Sequence, residues 1–256
     1  MALLQIRNLT HYFGGLRAVS DFNLDLDPGE LIGIIGPNGS GKTTVFNLIT
    51  GVYRPTEGGI LFNGHNLVGQ RSDQIVSLGI ARTFQTIRLF KDLSVLDNVR
   101  IARFAHVRYS IPEAMFFLPN FARQEREVCR GALDLLDAMG LLDMAELPAA
   151  SLPYGLQRRL EIARALACEP TLLLLDEPAA GMNPGEIAQL MELILWIRQH
   201  FSMTIVLIEH QMRVVMGICE RMKVLDFGET IAEGEPASIQ NNPRVIEAYL
   251  GEEVVA

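Results

Sequence analysis

The chain has few cysteines, no surplus of positive charge and no long apolar run, and each shortage removes a class of protein. Its three cysteines, Cys129, Cys168 and Cys219, are odd in number and far apart. They make neither a disulfide framework nor a metal site, and they suit a reducing compartment. The 22 basic and 30 acidic side chains leave a net charge of −8, the wrong balance for a sequence-independent nucleic-acid binder. The run Leu172 to Leu175 is stopped by Asp176 and Glu177, and no window reaches the roughly 18 apolar residues of a spanning helix. The opening stretch, MALLQIRNLTHYF, carries no apolar signal-peptide region.

What remains is an ordinary globular composition, 49% apolar and 20% charged over 256 residues. At about 150 residues per domain this is one to two domains, long enough to bury a core without disulfides or a structural metal. A mean hydropathy of +0.21 hints that some apolar surface meets a partner.

Residues 19–26 alternate at Phe22, Leu24 and Leu26, which predicts a strand with one buried face. Asp27-Pro28-Gly29 is turn chemistry, and Leu31 to Ile35 reads as a strand buried on both faces. A glycine-rich loop and a helix to Thr50 follow, with Gly51 placed to end it. Hairpin signals at residues 56–59 and at Asn63-Gly64 bracket a strand over 60–62, and a β region over 80–84 leads into Gln85. From Ser94 to about Met139 the texture turns helical. Val95, Val99 and Ala102 follow Ser94 at helical spacing, and a helix over 120–139 is stopped by Gly140. Phe116-Phe117-Leu118-Pro119 breaks that pattern. Strands return over 172–175, 204–208 and 224–227, the βαβ rhythm of a parallel sheet.

The strongest chemical signal is Gly36-Pro37-Asn38-Gly39-Ser40-Gly41-Lys42-Thr43, followed by Thr44. It is a full match to the phosphate-loop pattern, between a buried strand and a helix as that pattern requires. Its glycines let backbone N–H groups converge on phosphate oxygens at the positive end of the helix. Lys42 is placed for the β- and γ-phosphates, and the Thr43 hydroxyl for Mg²⁺. The second signal is the strand over 172–175 running into Asp176 and Glu177. It sets two carboxylates at the carboxyl edge of the sheet, where Asp176 suits Mg²⁺ through water and Glu177 suits polarising an attacking water. Asp226-Phe227-Gly228 spells the kinase magnesium motif, but no HRD-like loop accompanies it and Gly228-Glu229 reads as a hairpin turn.

These elements fall in one order along the chain: the phosphate loop, Gln85 after a strand, SLPYGLQRRLEIARA from Ser151 to Ala165, Asp176-Glu177, and His210 after a strand. In that order the chain resembles the ATP-binding cassette (ABC) ATPases over essentially its whole length. The resemblance implies an α/β P-loop NTPase (RecA-like) core with an antiparallel β subdomain and an inserted α-helical subdomain. Core and β subdomain would occupy 1–93 and 168–256, and the helical subdomain with its signature segment 94–167. It implies ATP and Mg²⁺ as ligands, with Thr43, Gln85 and Asp176 at the metal. Glu177 would be the catalytic base, His210 would contact the γ-phosphate, and Gln85 would relay nucleotide state. Phe13 would stack on adenine, with Tyr12 its competitor. Ser151, Tyr154 and Gly155 would face the nucleotide of a second, head-to-tail ATPase subunit.

Two departures stand out. Where the family has Leu-Ser-Gly-Gly-Gln, this chain has Leu152-Pro153-Tyr154-Gly155-Leu156, so Pro153 replaces the serine that donates a hydroxyl; Ser151 is a candidate substitute. Asn183 stands where the family has a D-loop aspartate. FGGLRAVSDFNLDL, RTFQ from Arg82 to Gln85, YGLQRRLEIARAL and EPAAGMNP resemble the branched-chain amino acid importer ATPases within that family. That implies transmembrane permease subunits, indirectly an extracytoplasmic solute-binding protein, no nucleic acid, and a peripheral place on the cytoplasmic face of the membrane. A surface around Gln85 to Asp97, with Phe90 and Leu93, is expected to dock a membrane-subunit helix. Two other readings compete: a regulatory ATP-binding subunit with weak hydrolysis, and an ABC ATPase serving a different substrate.

Overall fold

The computed structural model describes residues 2–253, with side chains described through Tyr249. In chain order the elements begin with β1 (Leu4–Phe13), β2 (Leu16–Leu26), β3 (Leu31–Ile35), α1 (Lys42–Ile49), β4 (Glu57–Phe62), β5 (His65–Asn66), α2 (Ser72–Ser77) and β6 (Ile80–Arg82). A helical stretch follows: α3 (Val95–Arg103), α4 (Ile111–Met115), α5 (Pro119–Ala138) and α6 (Tyr154–Leu166). The chain closes with β7 (Leu172–Asp176), α7 (Pro184–His200), β8 (Thr204–Ile208), α8 (Met212–Ile218), β9 (Arg221–Asp226), β10 (Glu229–Gly234), α9 (Pro236–Gln240) and α10 (Pro243–Glu253). These elements gather into two compact units, one of residues up to Gln85 together with those from Thr171 onward, the other Thr86–Pro170.

The first unit holds two sheets. The larger runs β10-β9-β3-β8-β7-β6, with β10 antiparallel to β9 and the remaining neighbours parallel. β3, β7 and β8 are five residues each and buried at every position; strands covered on both faces read as near-continuous apolar runs. Parallel register sets Ile34 opposite Ile208, and Ile208 opposite Asp176. The loops that leave β3, β7 and β8 therefore start side by side, although β3 ends at Ile35, β7 at Asp176 and β8 at Ile208.

The smaller sheet is antiparallel, β2-β1-β4-β5. No strand is expected ahead of residue 19, yet β1 pairs with both β2 and β4. Its register shifts around Leu9, beside Asn8 at φ +49°, and such a bulge breaks the period-two alternation that marks a strand in sequence. Two hairpins carry paired positive φ angles, Asn63 and Gly64 (+48°, +78°) and Phe227 and Gly228 (+43°, +82°), the geometry that matches strand twist. The second turn centres one residue earlier than Gly228-Glu229, because Asp226 pairs with Glu229. The kinase-like tripeptide is thus a hairpin.

In the second unit, Ser94 caps α3 by accepting from the Asp97 N–H at 3.0 Å. Asn98, fully buried, then ties down the preceding loop. Its Oδ1 accepts from Phe90 N at 3.0 Å, and its Nδ2 donates to the carbonyls of Phe90 and Ser94 at 3.0 and 2.9 Å. Backbone bonds from Ala149 N to Leu93 O and from Val95 N to Leu147 O, both 2.9 Å, lock the same segment. Phe90 and Leu93 nevertheless leave their side chains exposed, and the Arg164 guanidinium covers one face of Phe90 at 4.9 Å. Replacing Asn98 by Ala takes the side-chain partner from the Phe90 N–H, at about 1–3 kcal/mol, removes a second donor from the Phe90 and Ser94 carbonyls, and leaves a void at a fully buried position. Urea unfolding should show a loss of at least about 2 kcal/mol; a loss below about 0.5 kcal/mol would contradict the anchoring role.

Candidate active site

The loop between β3 and α1 turns so tightly that glycine is obligatory at both of its ends. A Cβ on Gly36 would lie 2.0 Å from the Leu225 carbonyl oxygen, and one on Gly41 2.4 Å from that of Ala18. Both residues sit at positive φ, +148° and +100°, where a side chain is strained. α1 then starts at Lys42 with no side-chain cap and no acidic residue in its first turn, so its positive end is left for an external anion. The Lys42 side chain is buried and folds back into the loop. Its Nζ donates to the carbonyls of Gly36 (2.8 Å) and Pro37 (2.7 Å) and to Ser40 Oγ (3.4 Å).

A cleft of about 480 Å³ opens on this loop, walled by Asn38 to Thr44 with Phe13, Gln85, Glu177 and Phe227. Phe13 is held by edge-on contacts to His11 (4.7 Å) and Tyr53 (5.1 Å). Tyr12 is not part of the wall; neighbours along a strand point to opposite faces.

Glu177 takes a left-handed backbone, φ +44°, while its N–H stays bonded to Ile208 O at 2.9 Å. Such a conformation is strained for a residue with a side chain. Glu177 Oε2 lies 2.6 Å from Gln85 Nε2 and 3.6 Å from His210 Nδ1. Gln85 and His210, far apart in sequence, therefore converge on one carboxylate oxygen of Glu177.

Asp176 stands at the edge of the sheet but not in the cleft wall. Its Oδ2 accepts from Arg82 Nη2 at 2.6 Å, and both side chains are nearly out of solvent, 3% and 6% exposed. Arg82 also donates to Asn47 Oδ1 at 2.7 Å and lies over the rings of Phe46 and Phe84 at 5.4 and 5.1 Å. Burial pushes the Asp176 carboxyl up from its ordinary value, and the Arg82 bond opposes that. Sequence reading gave Arg82 no task. It also passed over Glu209, which is fully buried and accepts from the N–H groups of Ala179 (2.7 Å) and Gln211 (3.4 Å). Its signal was an acid directly after the apolar run Ile205 to Ile208.

Ser151, Tyr154 and Gly155 belong to the helical unit. There Pro153 is the residue before α6, and its carbonyl accepts from Leu156 (3.0 Å) and Gln157 (2.9 Å), so its missing N–H leaves no broken bond. Ser151 Oγ donates its only hydrogen to Pro148 O at 2.7 Å, which occupies the donor expected to stand in for the lost serine. Asn183 caps α7, its Oδ1 accepting from Gly185 N and Glu186 N at 2.9 and 3.0 Å, as an aspartate would.

A glycine loop between a central parallel strand and a helix, a lysine folded into it, and a carboxylate at the end of a nearby strand define a P-loop ATPase. The comparisons place it within that class. The ABC transporter family profile matches residues 19–180, and that of the branched-chain amino acid ATP-binding cassette transporters matches 229–255. The chain belongs to the ABC transporter family, as an ATP-binding ATPase subunit. It is 47% identical to the high-affinity branched-chain amino acid transport ATP-binding protein LivG of Escherichia coli (strain K12), over 98% of both chains. It is 43% identical to the corresponding protein BraF of Pseudomonas aeruginosa, again over 98% of each. Among solved structures, the ADP conformation of MJ1267, an ATP-binding cassette of an ABC transporter, aligns with a TM-score of 0.86 at 30% identity, covering 98% of this chain and 99% of that one.

Burial raises the Glu209 carboxyl above its ordinary value, against the pull of the Ala179 N–H. The folded chain then holds that proton to higher pH than the unfolded chain, so stability falls as pH rises from the ordinary carboxylate range through the folded value. Glu209→Gln should flatten this fall by about 1.4 kcal/mol for each pH unit over which wild type alone keeps the proton. Urea unfolding across a pH series checks it; an unchanged slope would show that Glu209 is not the titrating group.

Proposed function

We propose that this chain powers an importer of branched-chain or closely related amino acids. It would work as one of two head-to-tail ATPase subunits on the cytoplasmic face of the membrane, beneath transmembrane permease subunits fed by an extracytoplasmic solute-binding protein. The observation that carries the catalytic part is the Glu177 oxygen held between Gln85 and His210 on the wall of the phosphate-loop cleft. Whole-chain likeness to LivG and BraF supports the choice of solute.

In this reading the N–H groups from Gly39 to Thr44 and the Lys42 ammonium hold the phosphates of ATP. Phe13 lies against the adenine. Glu177 takes a proton from the water that attacks the γ-phosphorus, Gln85 fixes that carboxylate, and His210 faces the γ-phosphate. The donors also suit a hard divalent cation, because the Thr43 hydroxyl, the Gln85 amide oxygen and the Asp176 carboxylate are all oxygen ligands beside a phosphate site. Bound there, Mg²⁺ neutralises phosphate charge. Asp176 would meet it through water, with its Oδ2 kept in place by Arg82.

Gly155 and the start of α6, with Tyr154 and Ser151, would face the nucleotide of the partner subunit. A regulatory subunit with little hydrolysis is disfavoured, because Gln85, Glu177 and His210 are all present and gathered. The missing hydroxyl at Pro153 corresponds to about 1.5–3 kcal/mol at a charged acceptor.

Glu177→Gln should bind ATP and accumulate as a dimer in light scattering; a variant that stays monomeric with ATP and turns over normally would remove Glu177 from the mechanism. Pro153→Ser should raise turnover by about tenfold or more, and no change would mean that another donor already serves the partner's phosphate. In vesicles carrying the reconstituted permease complex, leucine uptake should require internal ATP; uptake of lysine but not leucine would refute the assigned solute.

A further inference from the structure

The strands β7 and β8 end where the reacting side chains begin. Asp176 lies opposite Ile208 in their parallel register, and the bond from Glu177 N to Ile208 O at 2.9 Å carries the pairing one residue further. Beyond that point side chains take over. Glu209, fully buried, accepts from the Ala179 N–H at 2.7 Å, and Gln211 Nε2 donates to the Ala179 carbonyl at 3.2 Å. The two residues that flank His210 thus hold both backbone groups of one residue. Ala179 is itself fully buried and stands two places after Glu177. Glu209 Oε2 also accepts from Gln211 N at 3.4 Å, which closes the clamp on itself.

Three features set this clamp apart from ordinary satisfaction of buried groups. The Ala179 carbonyl already accepts from Met182 N at 3.2 Å, so the Gln211 bond is a second one that fixes position rather than rescuing an orphan. Gln211 is the residue before α8, yet its side chain makes no capping bond to that helix and reaches across to the neighbouring loop instead. The segment it grips follows directly on Glu177, whose φ of +44° is a conformation that persists only where the surroundings over-determine it. Between the two anchored flanks sits His210, half-exposed, with its Nδ1 3.6 Å from Glu177 Oε2.

We propose that Glu209 and Gln211 are positioning residues for the hydrolysis step. By gripping Ala179 from both sides of His210, they set the separation of the His210 ring from the Glu177 carboxylate and hold Glu177 in its strained turn. Neither touches the nucleotide; both act through the two residues that face the phosphate. The proposal rests on the roles given above to Glu177 and His210 and deepens them. A reacting group displaced by about 1 Å loses up to about a hundredfold in rate, so a clamp of this kind has a kinetic consequence out of proportion to its bonds.

Gln211 is only partly buried, so Gln211→Met removes the donor at nearly constant shape without opening the core. In the reconstituted permease complex it should lower kcat by about tenfold and leave ATP affinity within about twofold, the split expected when a reacting group is misplaced. Glu209→Gln keeps an oxygen for the Ala179 N–H and should stay within about threefold of wild type, whereas Glu209→Ala should lose about tenfold or more. Histidine-selective NMR of the full chain needs no hydrolysis. The His210 signal, assigned among five histidines by its loss in His210→Ala, should move in Gln211→Met while the others stay in place. Wild-type kcat in Gln211→Met, an unmoved His210 signal, or a shift shared by all the histidines would overturn the proposal. Wild-type hydrolysis by His210→Ala would instead overturn the reading on which it rests.

Discussion

Everything at the active site depends on a backbone that can pass where no side chain fits. Gly36 lies against the Leu225 carbonyl and Gly41 against that of Ala18, so the loop is pinned between β9 and β2 while it reverses direction at the end of β3. That closeness turns the loop's N–H groups inward and starts α1 facing the cleft. Lys42 completes it by spanning the loop with bonds to two carbonyls. A phosphate would replace neighbours of like geometry, so little reorganisation is needed when it arrives.

The second constraint is one of register. β6 runs parallel to β7, with Arg82 opposite Leu174. The strand end therefore delivers two side chains to two adjacent acids: Arg82 grips Asp176 and Gln85 grips Glu177, each at 2.6 Å. Arg82 further reaches Asn47 on α1. The helix that follows the phosphate loop, the end of β6 with the segment on to Gln85, and both carboxylates are thus one bonded set. A buried ion pair of this sort contributes little net stability, because desolvation offsets its attraction; its value lies in fixing position.

Much of this was legible in sequence, for physical reasons. β3, β7 and β8 read as near-continuous apolar runs because both faces are covered, and the phosphate loop is spelled by residues no other geometry requires. Asn63-Gly64 announced its hairpin through positive φ. β1 was missed because a bulge at Asn8 breaks its alternation. Arg82, Glu209 and Asn98 were missed because a buried polar residue looks like a surface one until its partners are brought in by the fold. Each is satisfied by groups far away in sequence or by backbone atoms, neither of which a pattern search sees. Ser151 was read as a free donor, whereas its hydroxyl closes a local turn.

The account stands or falls on the separation of binding from chemistry at Lys42 and Glu177. The direct measurement is Mg-ATP affinity and hydrolysis for wild type, Lys42→Ala and Glu177→Gln under the same conditions. The account predicts that Lys42→Ala loses ATP binding, while Glu177→Gln keeps near-wild-type affinity and loses hydrolysis by about a hundredfold or more. Hydrolysis by Glu177→Gln at the wild-type rate would contradict it.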